Sequence, residues 1–112
     1  MLPKKERLFK ERDIKAVIKS RQFKAGGALL NLVACENKLQ LPRLAIVTPR
    51  KLGNAVKRNR VRRRLFEIFA EIKPNIARNV DMVVFPSLGA VDNSYWAIKD
   101  DVVECLKECS LY

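Results

Sequence analysis

The chain has no histidine, and no acidic residue falls between Arg50 and Arg64. The first absence removes the commonest general base and metal ligand of neutral-pH enzymes. The one cluster of acids (Asp100, Asp101, Glu104, Glu108) is spaced as a helix face beside Lys99 and Lys107, not gathered around a point. Asp81 opens an apolar run with no evident partner. No serine or thiol has a base close by in sequence, and the four glycines form no phosphate-binding loop. Side chains of these kinds do not assemble a phosphodiesterase by themselves. Cysteine is scarce and odd in number: Cys35, Cys105 and Cys109. With no signal-like segment ahead of them, reduced thiols in a cytoplasmic protein are expected. Cys105 and Cys109 lie one helical turn apart, half a metal site at most. They are expected at the core edge, and no metal or other cofactor is expected on the protein itself. No run approaches the roughly 20 apolar residues of a membrane span, so no membrane partner is expected. The longest candidate, residues 25–35, is interrupted by Asn31. Glu6, Glu11 and Asp13 argue against an organelle transit peptide.

What the chain does have is positive charge in one place. It carries a net +11 from 23 basic and 12 acidic residues. Eight of those bases (Arg50, Lys51, Lys57, Arg58, Arg60, Arg62, Arg63, Arg64) fall in the fifteen residues from Arg50 to Arg64. A field so concentrated marks a polyanion partner. Val61, Leu65, Ile68, Phe69 and Ile72 then recur at helical spacing as one apolar stripe. The bases therefore form the front half of a core-packed helix. At about 100° per residue, the core-facing line runs back from Val61 to Lys57 and Arg58, which cannot be buried unpaired. The first turns must overhang the core and face a groove, with Arg58 and Arg62 on its flank. Gly53 and Asn54 mark the helix start, with Asn54 as N-cap, and the free N–H groups there favour an anion. A solvated basic face is the plain alternative; the density, the missing acids and the rigid mounting favour nucleic acid.

In chain order, residues 1–10 are basic and expected to form a flexible extended arm, with Leu8 and Phe9 able to lie on the domain. Residues 11–19 read as a short helix with Ile14, Val17 and Ile18 on one face. Residues 21–27 read as a loop broken by Gly26-Gly27. Residues 28–35, 44–48 and 81–85 read as strands, with a fourth conceivable from splitting 39–48. Pro74 stops the basic helix, and residues 95–109 form the last one with Trp96, Val102, Val103 and Leu106 inward and the acids mainly outward. With no repeat, low-complexity tract or second domain in view, 1–112 reads as a single α+β domain, a sandwich with one sheet face covered. The pattern alone predicts a right-handed strand–basic helix–strand crossover.

The segment K-L-G-N-A-V-K-R-N-R-V-R-R-R-L-F-E (residues 51–67) resembles the signature of the bacterial ribonuclease P protein component family, whose helix carries Arg-Asn-Arg, here Arg58-Asn59-Arg60. P-R-L-A-I-V-T-P-R-K ahead of it and K-K-E-R-L-F-K-E-R-D-I-K-A-V-I-K near the start resemble the family's preceding strand and first helix, so the resemblance spans essentially the whole chain. It implies a four-stranded, mostly antiparallel sheet with a left-handed βαβ crossover at the basic helix. It implies a protein that assists a catalytic RNA subunit in removing the 5′ leader of precursor tRNA. It further implies that the Mg²⁺ ions and the chemistry belong to that RNA and that the protein is a monomer within the ribonucleoprotein. Arg58, Asn59, Arg60, Arg62 and Arg63 stand at the family's RNA-contacting positions, and Arg50 and Lys51 match the basic pair before its glycine. With Asn54, Lys57 and Arg64 these make up the expected RNA-binding set. The leader groove departs from the family pattern. Relatives place aromatic residues at the positions of Ile14 and Ile18 and often near Leu32, where this chain is aliphatic, so stacking on leader bases loses those rings. Phe9, and less directly Phe23, are the replacement candidates.

Two other functions fit the composition. One is a ribosomal or general RNA-binding protein with no part in tRNA processing. The other is a DNA-binding protein with this helix in a major groove, although so dense a charge suits backbone neutralisation better than base reading.

Overall fold

A computed structural model describes residues 3–112. Its elements run α1 (Glu11–Lys19), β1 (Phe23–Gly26), β2 (Leu30–Glu36), β3 (Arg43–Ile46), α2 (Ala55–Ile72), β4 (Val80–Pro86), α3 (Leu88–Val91) and α4 (Tyr95–Glu108). The sheet order is β1-β2-β4-β3. β1 with β2 and β2 with β4 pair antiparallel, whereas β3 and β4 are adjacent and parallel, joined through α2. The fourth strand is thus Phe23–Gly26, in the stretch expected to be a loop, and not a split of residues 39–48. Four residues containing a lysine and a glycine have little strand signal of their own; their backbone is fixed by register against β2, Phe23 opposite Ala34 through Gly26 opposite Asn31.

Alternation along the strands sends side chains to two separate cores. Leu30, Leu32 and Ala34 of β2 and Met82 and Val84 of β4 join the stripe of α2 (Val61, Leu65, Ile68, Phe69, Ile72) and α4's Ile98, Val102, Cys105 and Leu106. Val33, Ala45 and Val83 point the other way and meet Val17 of α1 and Leu8. The sheet is therefore covered on both faces, correcting the expectation of one. The second cover is partial, because α1 is only nine residues long and commits one fully buried side chain, Val17. Part of that face stays open.

The N-terminal segment is not a loose arm. Residues 1 and 2 lie outside the described residues, but Lys4–Glu6 form a turn of 3-10 helix and Arg7 bridges to Leu44. The Leu8 N–H donates to the Leu44 carbonyl at 2.8 Å, along the outer edge of β3. Glu6 is buried and takes Lys73 Nζ at 2.5 Å, which ties the segment to the end of α2. In α4, Trp96 is 68% exposed and not inward. The buried stripe runs through Ile98, Val102, Cys105 and Leu106, and Trp96 sits about 200° around the helix from Ile98. Asp101, expected outward with the other acids, is half-buried and accepts the Leu29 N–H at 3.0 Å.

Candidate nucleic-acid interface

α2 begins where its sequence places it. Asn54 Oδ1 accepts the Lys57 N–H at 3.0 Å, satisfying one of the donors a helix start leaves open. Before it, Arg50–Leu52 form a 3-10 turn and Gly53 adopts φ 126°, a conformation costly for any residue with a Cβ. That kink swings the chain from β3 into the helix and presents Arg50 and Lys51 beside the helix start.

Of the eight clustered bases, Arg50, Lys51, Lys57, Arg60, Arg62 and Arg63 are exposed, and Arg58 and Arg64 are half-buried. Asn54 and Asn59 are exposed with them. Among the described residues no acid forms an ion pair with the cluster; Asp81, Glu6, Glu36 and Glu71 are paired with Arg43, Lys73, Arg78 and Lys99 instead. Two of the eight have structural ties. Arg64 Nη1 donates to the Asn93 carbonyl at 2.8 Å, pinning the α3–α4 turn to α2. Arg62 Nη2 donates to the Thr48 hydroxyl at the end of β3. Arg58 Nε is buried without a hydrogen-bond partner among the described residues. Asn59, Arg62, Arg63 and Phe66 line a hollow of about 220 Å³ on the outer side of the helix. Phe66 was not singled out from sequence because it falls between the stripe and the charged face.

A larger groove, about 490 Å³, lies on the open part of the second sheet face. Val47, Pro49 and Lys51 contribute one wall, and Asn31, Phe85 and Pro86 the other. The alternation is informative: Thr48, between two groove residues, turns instead to Arg62. The groove and the basic helix thus share the segment from Val47 to Lys51. Ile14 and Ile18 are half-buried against the same face, in the cluster that includes Val47 and Phe85.

The other groove candidates fall elsewhere. Leu32 is 0% exposed and points into the α2 side of the sheet. The β2 residues on the open face are its neighbours Asn31 and Val33, because a shift of one residue exchanges the faces. Phe23 also packs on the α2 side, with the Arg78 guanidinium 6.0 Å from its ring. Phe9 is 61% exposed just ahead of α1, with Lys4 Nζ 5.5 Å from its ring centroid. Sequence reading missed Phe85. It ends the run D-M-V-V-F, apolar on both sides, in which no alternation distinguishes an inward from an outward residue.

Activated nucleophiles are not apparent. Burial pushes the Cys105 thiol up to about 11, with Asp101 adding to the effect, and burial likewise raises Cys109. Cys35 is raised by burial and then by Asp81, against a lowering by Arg43. All three cysteines are free, and raised thiols are poor nucleophiles and poor ligands at neutral pH. Among the described residues, no group of three or more Cys, Asp or Glu is placed to hold a metal ion, and no helix is long and apolar enough to cross a membrane.

Residues 2–110 match the family described as Ribonuclease P. A Streptococcus thermophilus ribonuclease P protein component is 36% identical over 99% of this chain and 98% of its own length. Among solved structures, a Staphylococcus aureus RNase P protein mutant with defective mRNA degradation activity superposes with a TM-score of 0.89 at 28% identity, covering 97% of this chain and 92% of that one. The Thermotoga maritima RNase P protein gives 0.82 at 28% identity, over 91% of this chain and 96% of its own.

Proposed function

The chain belongs to the ribonuclease P family and is a protein subunit of that tRNA-processing endoribonuclease, and from that premise we propose how its two surfaces divide the work. The exposed face of α2 holds the catalytic RNA subunit, and the groove on the second sheet face holds the single-stranded 5′ leader of precursor tRNA. The protein acts as a monomer in the ribonucleoprotein and binds no cofactor. The Mg²⁺ ions and the bond breaking belong to the RNA.

The observation that carries this reading is the shared segment Val47–Lys51. One strip of backbone forms a wall of the groove and leads through Gly53 into the basic helix. An RNA fixed on α2 and a strand lying in the groove would therefore be held at a set distance from each other. Guanidinium groups fork onto phosphates, so Arg60 and Arg63, exposed on successive turns, suit a folded RNA backbone. The groove is less charged and more apolar, which suits unpaired bases with their phosphates at the rim.

Precursor tRNA cleavage by the RNA subunit at low Mg²⁺, with and without the protein, tests the assignment. Addition of the protein should raise cleavage at low Mg²⁺ and favour precursor over mature tRNA, and the protein freed of RNA should leave precursor tRNA intact. A general RNA-binding protein would give no gain in that assay.

A further inference from the structure

Trp96, the one tryptophan of the chain, stands in the first turn of α4 with 68% of its surface exposed. The ring is braced from two sides. Tyr95 meets it edge to face with centroids 5.3 Å apart, and the Lys99 ammonium lies 5.6 Å from its centroid. Both neighbours are tied to α2, because the Tyr95 hydroxyl and the Lys99 ammonium each donate to Glu71 at 2.6 Å. One acid of α2 thus holds the two side chains that flank the indole. The turn that carries Trp96 is also joined to the basic cluster. Arg64 donates to the Asn93 carbonyl, and Trp96 follows three residues later, so the two Cα atoms are within about 11 Å. Arg60 and Arg63 are exposed on the same stretch of α2. Beyond the ring the charge changes sign, with Glu67 on α2 and Asp100 one turn further along α4, both exposed.

A large ring alone among charged side chains gives an apolar protein surface little to pack on, since such contacts need a contiguous patch. It does offer a flat face to one unpaired base. The phosphate of that nucleotide then falls towards the arginines, where the start of α4 adds the positive end of its helix dipole. Glu67 and Asp100 oppose a polyanion that continues past the ring, so the contact ends there. Resting on the assignment of α2 to the catalytic RNA subunit, we infer that Trp96 extends that interface onto α4 by stacking on one unpaired base of the RNA subunit. Lys99 takes no phosphate in this arrangement; its charge is committed to Glu71 and to the indole.

As the sole tryptophan, Trp96 reports on its own surroundings without any substitution. In the free protein its emission should be readily quenched by acrylamide. On titration with the full-length RNA subunit the emission should fall and acrylamide access should drop severalfold, because a stacked base shields the indole. Trp96→Leu, which keeps apolar bulk, should lower affinity for the RNA subunit about tenfold, and Trp96→Phe should recover most of the loss. The slope of log K against log salt should be the same in both variants as in the wild type, since a stack releases no counterions. Unchanged acrylamide access in the complex, or unchanged affinity in Trp96→Leu, overturns the contact and leaves α2 as the RNA-binding face without it. Shielding that appears on raising the protein concentration alone would mean that a second copy of the chain covers the ring, and overturns the contact equally. Failure of the wild-type protein to bind the RNA subunit overturns the assignment of α2, and this contact with it.

Discussion

Arg43 forks onto Asp81, Nε to Oδ1 and Nη2 to Oδ2, both at 2.8 Å. The two residues are also registered partners in the parallel pair of β3 and β4. Asp81, which has no evident partner in the sequence, is therefore fully engaged, and Asn37 Nδ2 donates to it as well at 2.9 Å. This clamp holds the two strands at the end where the N-terminal segment crosses.

Removing one half of the clamp leaves the other as a partly buried charge. Asp81→Ala should destabilise folding by about 2–3 kcal/mol, less than for a fully enclosed pair because Arg43 retains some solvent contact. Urea unfolding should show a lower midpoint with an unchanged slope. RNA-subunit affinity, corrected for the folded fraction, should be unaffected.

Binding to the RNA subunit should weaken steeply with salt. Six of the eight clustered bases are exposed, and five or six phosphate contacts give a slope of log K against log salt of about −4 to −5. Arg60→Ala and Arg63→Ala should each flatten it by roughly one unit, while Lys99→Ala and Lys107→Ala should not. Lys99 is already engaged with Glu71 at 2.6 Å. A slope shallower than about −2 would mean that the cluster is mostly a solvated face.

Ile18 is half-buried against the second core, at the side of the groove. Ile18→Phe should add a ring at that edge and raise affinity for precursor over mature tRNA by up to roughly 1 kcal/mol, with RNA-subunit affinity unchanged. Because the site is only partly enclosed, the melting temperature should fall little. A clear drop in melting temperature with no change in precursor preference would make Ile18 a packing residue only.

Tyr95 Oη donates to Glu71 Oε2 at 2.6 Å, and that bond pushes the tyrosine up to about 12. Lys99, and then Tyr95 itself, hold the Glu71 carboxyl below its ordinary value. Ionising the phenol breaks the bond. Its contribution to stability is therefore whole below about pH 10, the unfolded tyrosine value, and is lost as pH rises towards about 12. Glu71 behaves in the opposite sense, contributing above the ordinary carboxylate range and losing that contribution as acid protonates it. In a Tyr112→Phe background, alkaline absorbance titration should show Tyr95 ionising late. Glu71→Gln should return it towards pH 10.

The basic helix was legible almost to the residue because three signals coincide there. Asn54 caps it, the stripe from Val61 to Ile72 keeps helical period, and Pro74 closes it. That period accounts for the exposure of Arg60 and Arg63, whereas Arg50 and Lys51 lie ahead of the helix and Lys57 falls on the line of the core-facing stripe. The groove was less legible, since its walls depend on strand register. Whether Leu32 or Asn31 faces the open side is a single-residue shift that the apolar run L-L-N-L-V-A-C does not settle alone. β1 and Phe85 were hidden for related reasons, one by weak propensity and one by an apolar run without alternation. The expected inward Trp96 came from counting apolar residues along α4 where Ile98, two positions on, holds the core place.

The N-terminal segment has a further consequence, in the order of events. Glu6 and its partner Lys73 are 67 positions apart in the chain. The segment cannot dock until β3 and α2 exist and, held at few points, should be the first part to lift away. Its lifting would bare the outer rim of β3, a row of backbone groups open to another strand. Deuterium uptake at the Leu8 amide should then outpace that at β4 amides by orders of magnitude. Equal rates would mean that this stretch unfolds only with the whole molecule.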